Sequence, residues 1–326
     1  MDELTLLRST RDDSREPTPE ALAAGRAALL NHVAQEAGNV ATARPAARRR
    51  RLLPALSWAT AGVAAVLTGA LVVGNVTLNA TSAYASDVLR TAATQTIQYA
   101  DLVPGSGEYL RARTHARWQA CEMVGDGSQQ VKCEPNDQIL DVYMPADPAA
   151  EWVLYRDWGN MQGVLTGESI ETTRAVGGHF YDPVYSWVNV DYADIPTDGA
   201  AAYEWIDGQY NGGSASRDED NFVRIADILR SGLVPAAPRA ALLDALSRIP
   251  GVTATDDVAN LDGVTGVAIG RNEPFRAGER QEIIIDPNTG LVIGERALAG
   301  ATIFGWTLNQ EVSLTAIEST IVDAAP

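Results

Sequence analysis

The order of apolar and polar positions divides the chain into three stretches. Residues 54–78 read PALSWATAGVAAVLTGALVVGNVTL without a charged side chain. About 20 apolar residues at ~1.5 Å rise cross the hydrocarbon core of a bilayer, so this stretch predicts a transmembrane helix. Ahead of it, residues 19–37 have helical spacing, with Thr18 placed to cap, Pro19 at the first helical position and Gly38 behind. Leu22, Leu29, Leu30 and Val33 share one apolar face there. So short a piece cannot bury that face in itself, which predicts a partner or a membrane surface against it. The competing reading is an Ala-rich helix that frays ahead of a linker at 39–47.

Behind the span the period changes twice. Ser86–Tyr99 has helical spacing, with Ser86 or Asp87 as cap. Glu108–Glu122, Gln138–Met144 and Glu151–Trp158 alternate and predict strands, the first with a bulge or twist because its faces are mixed. Pro135, Asn136 and Asp137 predict a loop, and Gly159–Gly178 reads as Gly-rich connection. Helices follow over Ala200–Gln209 (capped by Thr197), through Phe222–Leu229 to a stop at Gly232, and from Pro238 to Ile249. The charged lead-in Ser216–Asn221 reads as a solvated helix turn. Then the period becomes two: strands are predicted near 252–255, 264–270, 281–286, 291–296 and 311–324. Asp286-Pro287-Asn288-Thr289-Gly290 predicts a hairpin with a type I turn and a following bulge. Helices followed by a run of adjacent strands give an α+β fold: one transmembrane helix plus an antiparallel sheet covered by helices. The expected divisions are 1–53, 54–78 and 79–326.

Charge adds a direction. Residues 1–53 carry nine Arg against seven Asp and Glu, and the rest of the chain carries 16 basic against 35 acidic residues. Arg44 and Arg48, Arg49, Arg50 and Arg51 precede the span, whereas Asn79–Ser86 holds no Lys or Arg. Basic flanks stay cytoplasmic, so the N-terminus is expected inside and the C-terminus outside a cell membrane. The rival is a signal peptide cleaved near Ala83-Tyr84-Ala85, against which stand the long front piece and long apolar stretch. So acidic a back piece should be repelled by nucleic acid and anionic head groups, and no nucleic-acid partner is expected.

Cys121 and Cys133 both fall behind the span, where oxidising conditions favour a structural disulfide. A metal site there lacks a third Cys, has His115 as its nearest His and does not have C-x-x-C spacing, so neither metal nor cofactor is expected. Asp218, Asp220 and Asn221 resemble half a calcium loop without its Gly or its closing Glu. His115 and His179 stand alone, no G-x-S-x-G is present, and no enzyme is expected. The aromatic run at 179–199 is either a core edge or a pocket wall. Trp118, Trp152, Tyr181 and Trp187 are the candidate ligand-lining residues if the sheet and its helices leave a half-open cavity.

MDELTLLR at the start, the Arg-rich flank with its single span, APRAALLDALSRIPGV at 237–252, IIIDPNTGLVIGER at 283–296 and IVDAAP at 321–326 carry a resemblance. The chain resembles a group of actinobacterial single-pass membrane proteins with an anti-sigma-factor-like layout. That resemblance implies a short cytoplasmic head, an extracytoplasmic α+β domain and a sigma factor or other cytoplasmic regulator as partner. The head departs from zinc-containing anti-sigma heads in having His32 and no Cys. Two functions follow as expectations: a membrane-anchored, non-enzymatic binding or regulatory protein with an unknown extracytoplasmic ligand, or an envelope lipid- or lipoprotein-carrier-like module with an apolar cavity.

Overall fold

A computed structural model of the chain describes residues 81–124, 130–163, 167–181, 191–302 and 305–326. The segments 1–53 and 54–78, and with them Leu22, Leu29, Leu30, Val33, Arg48–Arg51 and the span, lie outside the described residues, as does Trp187. No helix among the described residues is long and apolar enough to cross a membrane.

The fold is α+β. Helix α1 (Ala83–Gln98) precedes strands β1 (Tyr109–Val124), β2 (Gln130–Pro145), β3 (Glu151–Asp157) and β4 (Ile170–Val176). Helices α2 (Gly199–Asp207), α3 (Arg217–Leu229) and α4 (Ala236–Leu246) follow. Strands β5 (Thr253–Ala259), β6 (Thr265–Glu273), β7 (Glu279–Ile285), β8 (Val292–Leu298) and β9 (Glu311–Val322) complete it. All nine strands form one antiparallel sheet in the order β4-β3-β2-β1-β9-β8-β7-β6-β5. Two meanders are thus joined by β9, which lies between β1 and β8.

The helices cover one face of the sheet. Leu89 and Ala92 of α1, Ile206 of α2, Phe222 and Ile225 of α3 and Leu242, Leu243 and Leu246 of α4 pack with Val267, Ile269, Ile283 and Ile285. The strand residues between these, Ala268 and Ile284, form a small cluster with Val258 on the opposite face, as period-two alternation requires. A second cluster on β1–β3 holds Leu110, Ala112, Leu140, Val142, Trp152 and Leu154, closed by Phe180 and Leu233. On the other side of β1 and β2, Arg113 forks onto Asp141 at 2.8 and 2.9 Å and Arg117 onto Asp137 at 2.7 and 2.8 Å.

Several expectations are corrected. The loop at Pro135–Asp137 is strand: β2 pairs with β1 from Val124↔Gln130 to Tyr109↔Pro145 without a register shift, so β1 has no bulge against it. Pro135 is tolerated because β3 pairs with β2 only over Ile139–Tyr143, leaving that edge without a neighbour that needs its missing N–H. Within the supposed connection 159–178 lies β4, an edge strand with only Glu171 buried in its pattern. The caps are Ser82 and Asp198, not Ser86, Asp87 or Thr197. The lead-in to α3 is not solvated: Ser216 caps it, and Glu219, Asp220 and Asn221 are buried. They are partnered there by Arg276, by Arg224 and Ser214, and by Asp207.

The hairpin at 286–290 forms as its residues dictate. Asp286 accepts from the Asn288 amide at 2.9 Å, Gly290 takes φ +69°, and the register shifts between Ile284 and Ile285. Its tip also meets α1, because a Cβ on Gly290 would stand 2.2 Å from the Ala92 carbonyl oxygen.

Candidate functional site

A cavity of about 480 Å³ opens where the two meanders meet. Leu110 of β1, Met144 and Pro145 at the end of β2, Val292 of β8 and Ile317 of β9 supply its sheet side. The connection from α3 to α4, with Gly232, Leu233, Val234 and Pro235, supplies its roof. That connection can lie on the sheet because Gly232 has φ +68°; a Cβ there would meet Ser319 Oγ at 2.8 Å and Ala112 Cβ at 3.4 Å. Ser319 Oγ donates to the Gly232 carbonyl at 3.0 Å and fixes the approach.

The third wall is the strap Tyr99–Pro104 between α1 and β1. Asp101 holds it down, accepting from the Ala236 amide at 2.8 Å and from Arg239 Nη2 at 2.9 Å. Arg239 is buried and fully engaged: Nε donates to Thr96 Oγ1 and Nη1 to the Val234 carbonyl. The only charged side chain on the α4 wall is therefore neutralised and hydrogen-bonded from within, as burial demands. What the cavity offers a ligand is aliphatic surface.

A smaller cleft of about 160 Å³ opens between α3 and strands β7–β9. Asp227 and Glu295 line it, with Arg230 at 3.0 Å from Asp227 and 3.8 Å from Glu295. Burial beneath α3 pushes the Glu295 carboxyl up to about 7, Arg230 opposing and Asp227 adding to the shift. Burial also raises Asp227, against Arg230 and Arg224. Beside them Glu282, itself buried, is held by Arg280 and Arg296 at 2.6 Å each.

Of the aromatic residues singled out from the sequence, Trp118, Trp152 and Tyr181 are not among the larger cavity's walls, and Trp187 lies outside the described residues. Trp152 is a core residue, 3 % exposed, whose Nε1 donates to the Pro148 carbonyl at 2.7 Å. Trp118 and Trp158 flank the Arg156 guanidinium at 5.9 and 3.4 Å from their ring centroids. Burial holds Arg156 below the usual guanidinium range. Tyr181, at φ +61°, donates to Glu171, and burial with that carboxylate raises its hydroxyl. Cys121 and Cys133 face each other across β1 and β2 and form a disulfide, Cα–Cα 4.1 Å. His115 Nδ1 lies 2.6 Å from Asp262 Oδ1. No group of three or more His, Cys, Asp or Glu among the described residues could hold a metal ion.

The cavity was not legible in the sequence because its walls come from six separated segments. One signal was present: Leu102, Val103 and Pro104 form an apolar run at a break between elements. Comparison with protein-family models, with curated proteins and with solved structures finds no match for this chain.

Proposed function

We propose that the chain is a membrane-anchored, non-enzymatic binding protein whose extracytoplasmic α+β domain takes an apolar molecule of the envelope into the cavity beside β9. One observation carries this reading. The cavity of about 480 Å³ falls in the ~300–1,000 Å³ range of small-molecule sites, and its walls are mainly Leu, Val, Ile, Met and Pro. The anchor at 54–78 and the cytoplasmic head at 1–53 come from the sequence pattern. The test is mass spectrometry of the full-length protein taken from native membranes. A co-purifying apolar species near one per chain, lost from a Leu291→Trp variant that still folds, is the expected result. Equal lipid content in both proteins would sink the cavity as its site.

A second reading concerns the head. Leu22, Leu29, Leu30 and Val33 make an apolar face that 1–53 cannot cover, which supports a cytoplasmic partner such as a sigma factor. A crosslinking pull-down from membranes tests it: the partner should come down with the full chain and not with a version lacking residues 1–40. Identical captures by both would reduce the head to an anchor flank.

A further inference from the structure

Resting on the cavity reading above, we propose that this is a tail-in, head-out site for one hydrocarbon chain, entered beneath the strap Tyr99–Pro104, which Asp101 latches to α4.

The class of ligand follows from where the walls spend their polar groups. Asp101 is bound to the Ala236 amide and to Arg239, Arg239 also to Thr96 and Val234, and Ser319 to Gly232. Glu318, the remaining charged wall residue, lies on strand β9 with its side chain 59 % exposed and Arg111 at 3.7 Å. A charged head group inside would lose its hydration, and the charged wall groups it would meet are already paired, at a cost that apolar contact does not offset. A methylene chain gives up no hydrogen bonds by entering, and each CH₂ taken from water tightens binding by up to about fourfold. The head therefore stays at the mouth, in water.

The mouth is the strap. It has no regular secondary structure and exposes apolar surface, with Val103 79 %, Tyr99 39 % and Leu102 37 % exposed beside Ile97 at 56 %. Both of its ends are fastened. Tyr99 N–H donates to the Gln95 carbonyl at the end of α1, and the turn after Pro104 is closed by Gly105 N–H donating to Glu108 at 2.7 Å. Between those ends the hydrogen bonds to α4 are the two that Asp101 accepts. Lifting the strap breaks those two and leaves the sheet and every helix ladder intact, so it belongs to the low-energy end of local opening. Arg239 keeps Thr96 and Val234 when it lets go.

Photolabelling the full-length protein in nanodiscs tests both halves. The probes are an 18-carbon fatty acid and an 18-carbon fatty alcohol, each with a diazirine in mid-chain, and labelled peptides are mapped by mass spectrometry. Acid and alcohol should both label 233–235 and 291–292, within about threefold of each other. Asp101→Ala should reach the same final labelling several-fold faster. Ala236→Pro, which removes one latch N–H at a helix position where proline is accepted, should fall between. Labelling by the acid alone would replace the head-out site with one that recognises a carboxylate, and unchanged rates in both variants would remove the strap as gate. Labelling confined to 54–78 would instead overturn the cavity reading itself.

Discussion

At the scale of single residues, two positions carry more than their sequence context suggests. Glu295 faces α3 from the sheet, and its carboxyl, ordinarily near 4.5, is pushed up to about 7 by burial. A raised folded-state value means the unfolded chain releases its proton first. The contribution of protonated Glu295 is thus fully present below pH ~4.5 and gone above about 7. With 24 % of the side chain still accessible, about 2 kcal/mol is the scale to expect. Denaturant unfolding at pH 5 and pH 8 should show Glu295→Gln losing less stability over that interval than the parent. Parallel pH profiles would show that the carboxyl titrates normally. Gly290 is the second position. It needs φ +69° and leaves no room for a Cβ against the Ala92 carbonyl oxygen. Gly290→Ala should therefore cost at least about 2 kcal/mol, from backbone strain together with the separation of α1 from the hairpin. A melting temperature within a degree of the parent would contradict that.

At the scale of elements, legibility followed how much each segment decides for itself. α1, α2, α4 and strands β5–β9 were readable, because their apolar spacing and the Asp-Pro-Asn-Thr-Gly turn point one way, although the caps of α1 and α2 fell on other residues. β4 was missed because an edge strand with one buried residue in seven positions has little hydrophobic signature. Pro135 misled because its meaning depends on whether a neighbour needs its N–H, and that is decided by where β3 stops. The buried Glu219–Asp220–Asn221 start of α3 was read as solvated since its partners, Asp207 and Arg276, lie in other elements. Compartment chemistry, in contrast, made the disulfide readable before any geometry. Cys121 and Cys133 tie the far ends of β1 and β2, beyond the reach of β3 and β9, where the hairpin has no neighbours. Replacing both with Ser should cost up to about 3 kcal/mol and raise hydrogen exchange in 118–136 first. Uniformly faster exchange across β5–β9 would mean that the bond braces the whole sheet instead.

At the scale of the whole molecule, the site is a property of topology. Its walls meet because β9 sits between β1 and β8, so that the β1–β2 ends, the α3–α4 connection and the strap after α1 converge on one spot. No short motif records such a meeting. Of the aromatic run at 179–199, Phe180 joins the core cluster on β1–β3, where Trp152 of β3 also lies, while Trp118 and Trp158 pack around Arg156.

The position of β9 has a consequence for how the protein is made. A ribosome delivers β1 some 200 residues before the strand that will lie beside it, so β1 keeps an open edge through most of synthesis, and β8 opens a second shortly before the end. Each open edge is a template for the wrong neighbour, including the same edge on another nascent copy. A chain stopped before Glu311 should accumulate as aggregates whose protected amides lie in β1 and β8, and adding a peptide of residues 311–322 during refolding should rescue it.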